Sequence, residues 1–179
     1  MVNNTDSIVF AGGCFWCTEA IFKMLRGVTS VTPGYTGGGL KDPSYYEVMR
    51  GNTGHAESIQ IEYDPKVIPL HDLLDVFIHT HDPTSLNRQG ADVGPEYRSA
   101  IFYTSEKQKK EIEVFMEDLA KSKEFNSPIV TIIEPLDVFY KAEEYHKDYY
   151  EKNSYAPYCQ IVISPKLTKL REKYAPLLK

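Results

Sequence analysis

The chain has 179 residues, 42% of them hydrophobic, and a formal charge of -5 from 20 basic and 25 acidic side chains. That length suits one domain over residues 1–179 with an ordinary core, and the interleaved signs leave no Lys/Arg stripe for nucleic acid. No apolar run approaches the roughly 18–20 residues that a membrane span needs. The opening Met-Val-Asn-Asn-Thr-Asp has no basic head before an apolar segment, so a cytoplasmic monomer is expected.

In chain order, Ser7 to Ala11 reads as a first strand, and Gly12-Gly13-Cys14-Phe15-Trp16-Cys17 leads from it into a helix over 18–25 that stops at Gly27. Val28 to Thr32 reads as a short strand, followed by a tight or mobile loop, Pro33-Gly34-Tyr35-Thr36-Gly37-Gly38-Gly39. One or two helical turns fit 44–50. Ala56 to Tyr63 alternates imperfectly and reads as a strand stopped by Asp64-Pro65. Leu70, Leu73, Leu74, Phe77 and Ile78 have helical spacing after Pro69. The polar stretch from His81 to Gly94 has no periodicity, and a loop of that length is usually functional. Ser99 to Tyr103 reads as a strand, and 105–121 as the longest helix, with Ser105 and Gln108 in capping-box spacing. The pattern ends with a strand over 129–134, a polar aromatic helix over 142–152, a short strand over 160–163 and a helix over 166–174.

The chemistry concentrates around Cys14. A thiolate at a helix start is favoured by free backbone N–H groups and the helix dipole, and the preceding glycines allow the chain to turn tightly. Phe15 and Trp16 add large apolar surfaces, so the pattern points to a reactive thiol beside a pocket for a small apolar group. The competing reading is the usual one for a free cysteine, a small buried hydrophobe. Cys17 completes a Cys-x-x-Cys spacing that serves thiol–disulfide exchange. The same spacing serves metal sites, but Cys159 and the five histidines complete no zinc pattern. Three cysteines do not make a disulfide scaffold. Cys14 with His55 or His81 would make a hydrolytic nucleophile–base pair. Glu57, at a strand entrance, would serve as a proton donor if an apolar pocket beside Cys14 raised its pKa. Asp92 and Glu96 flank Val93-Gly94-Pro95 ahead of Tyr97-Arg98, a segment able to aim a carboxylate and a phenol at one site. Reduction of a defined small substrate, thioredoxin-like disulfide exchange and Cys–His hydrolysis therefore all stay open. So does a non-enzymatic groove of Phe15, Trp16 and tyrosines for methionine-rich peptides.

Taken together, Gly13-Cys14-Phe15-Trp16 with Glu19, Gly34-Tyr35-Thr36-Gly37-Gly38, Tyr45-x-x-Val48, Gly54-His55-Ala56-Glu57, His81-Asp82-Pro83-Thr84, Asn87-Arg88-Gln89-Gly90-x-Asp92-Val93-Gly94, Tyr97-Arg98-Ser99, Ala142-Glu143-x-x-His146 and Tyr158-Cys159 resemble the A-type peptide methionine sulfoxide reductases. The resemblance runs from about residue 7 to 163. It implies an α+β fold, a ferredoxin-like α/β plait around a mixed sheet with helices packed on it. It also implies Cys14 as nucleophile, Phe15 and Trp16 as holders of the substrate methyl, Glu57 as the acid, Tyr45 and Tyr97 as donors to the sulfoxide oxygen, Asp92 as polar support and His146 as a substrate-site residue. The implied reaction reduces methionine-(S)-sulfoxide, free or in proteins, through a Cys14 sulfenic acid. It needs no metal, flavin or nicotinamide, and a thioredoxin-like partner supplies the reducing equivalents. Many relatives carry Gly where this chain has Cys17, and the strand expected after Cys159 would hold that sulfur rigidly. The candidates for resolving the sulfenic acid are Cys17, Cys159, or an external thiol alone.

Overall fold

The run Ile8-Val9-Phe10-Ala11 has no solvent-accessible surface because its strand is covered on both faces. Successive side chains of a strand point to opposite faces. Ile8 and Phe10 therefore join the main core, and Val9 and Ala11 join a smaller cluster with Ala56, Ala100 and Phe102. The computed structural model describes residues 5–179; Met1–Asn4, and the reading of a missing signal head that rests on them, lie outside it.

This central strand is β1 (Asp6–Gly12). It is followed by α1 (Phe15–Lys23), β2 (Val28–Thr36), α2 (Tyr45–Met49), β3 (Ala56–Tyr63), α3 (Leu70–Thr80), β4 (Arg88–Gln89), β5 (Asp92–Val93), β6 (Ser99–Tyr103), α4 (Glu106–Ser122), β7 (Ile132–Pro135), β8 (Tyr140–Lys141), α5 (Tyr149–Lys152) and α6 (Ser164–Tyr174). The main sheet has the order β7-β6-β1-β3-β2-β8. Its central pairs are antiparallel, and β7 lies parallel to β6. The succession β1-α1-β2-β3-α3-β6 is the ferredoxin-like plait expected from the sequence, and β7 makes the sheet mixed. Phe10 anchors the helical layer: it stacks on Phe77 of α3 at 4.5 Å between ring centroids and meets Phe22 of α1 at 5.4 Å.

Several expected boundaries move. The strand read as ending at Thr32 continues to Thr36, because Pro33 to Thr36 pairs with Ala56 to Ile59 of β3. The long polar loop is closed by the hairpin of β4 and β5 and by the Gln89 amide, which accepts from Asp82 N–H and donates to the Asp82 carbonyl. The helix over 142–152 is two short turns, broken where Asp148 takes a left-handed conformation at φ 56°. The strand over 160–163 does not form. Cys159–Ile163 is instead a wide π turn that runs into α6, with Gln160 and Ile161 facing out while Cys159 and Ile163 turn inward. The strand expected over 129–134 shifts to Ile132–Pro135.

Gly34 is a close-packing point. A Cβ there would overlap the Phe139 ring and the Tyr140 carbonyl oxygen, where β8 pairs with β2. The carbonyl belongs to the backbone and cannot rotate away. Gly34→Ala is expected to destabilise the protein by about 1–3 kcal/mol, the usual cost of overpacking, measured as a lower urea midpoint at unchanged m-value.

Candidate active site

β1 ends in Gly12-Gly13, and Gly13 turns the chain at φ 90°, where a Cβ would lie 2.7 Å from the Gln89 side chain. This turn sets Cys14 at the N-cap of α1, with its own carbonyl accepting from Cys17 N–H at 3.1 Å. Cys14 is 9% exposed. Glu57 comes from the neighbouring strand, β3. It shares a face with Ile59, Ile61 and Tyr63, so strand alternation sends a carboxyl toward the helical layer. Its Oε2 accepts the Phe15 N–H at 2.9 Å, so the first free donor of α1 is committed to the carboxyl. Glu57 is 2% exposed, and burial pushes its pKa up to about 8, with the nearby Asp92 charge adding to the rise and the Phe15 bond opposing it.

Cys14 and Cys17, one helical turn apart, influence each other's ionisation. Burial, the neighbouring Cys17 and the Glu57 charge push the Cys14 thiol up, whereas Cys14, the Lys166 ammonium and the Tyr158 hydroxyl draw Cys17 down against its own burial. Of the helix-terminal donors expected to favour a Cys14 thiolate, the Phe15 N–H is taken by Glu57. Tyr158 had no role in the sequence reading, yet its hydroxyl lies 3.9 Å from Cys17 Sγ and donates to Asp92 Oδ2 at 2.9 Å. Its position beside Cys159 was the only signal for it, because the wide turn that aims it inward leaves no mark in hydropathy.

Aromatic rings form the other wall. Trp16 stacks on Tyr149 at 3.6 Å, and its indole N–H donates to His146 Nδ1 at 3.0 Å. That bond places the His146 proton on Nε2, which is buried without a partner among the described residues. Phe15 and Tyr45 lie 5.0 and 4.6 Å from the His146 ring. The segment carrying His146 is tied down by Glu19, whose two oxygens accept Asp148 N–H at 3.0 and 3.1 Å, and by Glu143, which accepts from Tyr35 and from Tyr45 N–H. Tyr45 and Tyr97 have raised pKa values, from burial first and then from the Glu57 charge, and both also feel Cys14. The Tyr97 hydroxyl donates to the Met49 thioether at 3.3 Å. The candidates therefore gather around Cys14, with Cys159 set apart in the core at 0% exposure.

Neither histidine considered as a base serves Cys14. His55 Nδ1 accepts Gly38 N–H and its Nε2 donates to the Leu40 carbonyl. His81 bonds the Phe77 carbonyl and Ser99 Oγ, and burial lowers its pKa to about 4. With both rings committed, hydrolytic activation of Cys14 has no base. Two neighbouring thiols beside a buried carboxyl are instead equipped for two-electron sulfur chemistry, which places the protein among the thiol oxidoreductases. Sequence comparison gives the family. The profile described as peptide methionine sulfoxide reductase matches residues 6–177. A peptide methionine sulfoxide reductase MsrA of Thermus thermophilus is 53% identical over 169 residues, covering 94% of this chain and 95% of the relative. Among solved structures, reduced Mxr1 from Saccharomyces cerevisiae superposes with a TM-score of 0.81 at 39% identity, covering 87% of this chain and 89% of that one. Mxr1 in complex with Trx2 superposes at 0.59 with 30% identity, covering 83% and 87%. The chain belongs to the peptide methionine sulfoxide reductase family.

The raised Glu57 pKa has a consequence for stability. Between about pH 4.5 and 8 the folded state holds a proton on Glu57 that the unfolded chain has released. Stability from this group is thus complete below about pH 4.5 and is lost as pH rises to about 8, with a slope of at most about 1.4 kcal/mol per pH unit. Glu19, raised by burial to about 7, adds a second such proton. Urea titrations at pH 5 to 8.5 are expected to show Glu57→Gln losing less stability across this range than the parent, while Glu19 acts equally in both proteins.

Proposed function

We propose that this protein is a peptide-methionine (S)-S-oxide reductase, a single catalytic domain that reduces methionine sulfoxide, free or in proteins, in the cytoplasm. The observation that carries the reading is the Glu57 carboxyl, buried, protonated near neutrality and bonded to the N–H of the residue after Cys14. A sulfoxide sulfur is a weak electrophile until its oxygen is protonated or strongly hydrogen-bonded, and a neutral carboxyl at that oxygen supplies the proton.

The steps follow from the groups present. Cys14 passes its S–H proton to the Cys17 thiolate and attacks the sulfoxide sulfur. Glu57 protonates the oxygen, and Tyr45 and Tyr97 donate hydrogen bonds to it as charge develops. The S–O bond breaks as the hydroxyl transfers to Cys14, giving methionine and a Cys14 sulfenic acid. Phe15 and Trp16 hold the methyl, with Trp16 fixed by Tyr149 and His146. Asp92 supports the polar side through Tyr158. A site with methyl and oxygen on opposite walls selects one epimer, the S form in this reading. Cys17 then attacks Cys14, releasing water and forming a disulfide. Its place one helical turn from Cys14, whose carbonyl accepts the Cys17 N–H, supports this choice of resolver, whereas Cys159 would have to leave the buried start of a helical turn. A thioredoxin-like dithiol reduces the disulfide. The similar yeast protein solved with Trx2 supports that partner.

Purified protein with dithiothreitol, given separated S and R epimers of a methionine sulfoxide peptide, is expected to convert only S, with conversion lost in Cys14→Ser. Conversion of neither epimer by folded protein with a free Cys14 would refute the reading. In a single turnover without reductant the parent is expected to lose two titratable thiols and Cys17→Ser only one. Loss of two in both would remove Cys17 as the necessary resolver.

A further inference from the structure

The thiol pair opens onto a second environment. A cavity of about 800 Å³ has Cys14, Cys17 and Tyr158 at its inner end and runs outward along α6 past Lys166, Lys169 and Lys173. Glu57, Tyr45, Tyr97, Phe15 and Trp16 do not line it, whereas Asp92 and Tyr158 do, so it reaches the sulfurs past the polar side of the site and away from its aromatic wall. The three lysines recur at i, i+3 and i+7, on one helix face. Among the described residues none of them has a carboxylate or carbonyl partner, and the Lys173 ammonium only lies 5.3 Å from the Tyr174 ring centroid. The lining also holds three carboxylates, Asp82 bonded by Thr84 and Ser85, Asp92 bonded by Tyr158, and Glu172; all keep their charge, and among the described residues none forms an ion pair with a lysine of this row. The cavity therefore joins two redox sulfurs to a row of three lysines without ion-pair partners, in a volume typical of small-ligand sites.

We infer that this cavity is a binding site for a small thiol bearing carboxylates, which reduces the oxidised enzyme from the α6 side. The inference rests on the reading of Cys14 and Cys17 as the redox pair. The ligand thiolate attacks one sulfur of the Cys14–Cys17 disulfide, the S–S bond breaks, and the departing cysteine leaves as a thiolate that takes up a proton. A second ligand thiolate attacks the mixed disulfide and departs as the symmetrical ligand disulfide, freeing the other cysteine. Two ligand thiols thereby supply the two electrons.

The test begins with one turnover on the S-sulfoxide peptide without reductant, with methionine release measured. Recovery of protein thiols is then timed with mercaptosuccinate (two carboxylates), mercaptoethanol (neutral) and cysteamine (cationic), each corrected for its rate with an unstructured disulfide. Mercaptosuccinate is expected to react about tenfold faster than mercaptoethanol at low salt, the lower end of electrostatic steering, with cysteamine slowest and the advantage shrinking as salt is added. Lys169→Ala/Lys173→Ala, changed at two exposed positions, is expected to lose most of the mercaptosuccinate advantage while its mercaptoethanol rate holds within about twofold; Lys169→Glu/Lys173→Glu should reverse the order. Equal corrected rates for the three thiols, or equal losses for charged and neutral thiols in the variant, would overturn the inference. So would a charge-swap effect confined to thioredoxin, which would assign the lysines to a protein partner. Failure of methionine release in the first turnover would instead strike the proposed reductase activity itself.

Discussion

The hydrogen bond from Phe15 N–H to Glu57 Oε2 is the constraint on which the site depends. It joins the first turn of α1 to the entrance of β3. A carboxylate at a helix N-terminus is ordinarily stabilised in its charged form. Here burial outweighs that preference and the carboxyl stays protonated into the neutral range. The bond thus orients the acid without ionising it.

A second layer of contacts holds the aromatic wall, and each contact crosses a long stretch of sequence. Glu19 on α1 grips the backbone of Asp148, Glu143 grips Tyr35 and the start of α2, and His146 receives the indole N–H. The segment between β8 and α5 has little regular structure to stiffen it, so these polar ties hold it where packing would elsewhere. Every anchoring carboxylate receives at least one hydrogen bond, which keeps the cost of its desolvation low.

The elements of the plait were legible because their signals are local, while their arrangement was implied by the family resemblance. The continuous apolar run of β1, the spaced leucines of α3 and the Ser105 cap, which accepts Gln108 N–H, each specify one element. Glu57 was legible in part: Glu57, Ile59 and Ile61 share one strand face, so a carboxyl standing in an apolar column was open to inspection. The environment of Cys14 was not, since its burial and the approach of Glu57 and Tyr158 are supplied by elements distant in sequence. Gln160 to Ile163 misled for a related reason. The β-branched run Ile161-Val162-Ile163 fits a short strand, but in the wide helical turn only Cys159 and Ile163 are buried and Ile161 is exposed.

The place of β1 in the sheet bears on the order in which the molecule can be built. The strand precedes both of its partners in the sequence, yet it lies between them, with Phe10 opposite Ile59 on one side and Val9 opposite Phe102 on the other. Its second edge waits for a strand some ninety residues later, about the spacing from Val9 to Phe102, and such long-range closure is slow. The Cys14–Cys17 turn follows directly from this strand, and Tyr158, which lies against Cys17, comes later still. The segment that carries the chemistry is therefore made well before the elements that enclose it, and a reducing environment during synthesis protects it before the fold can.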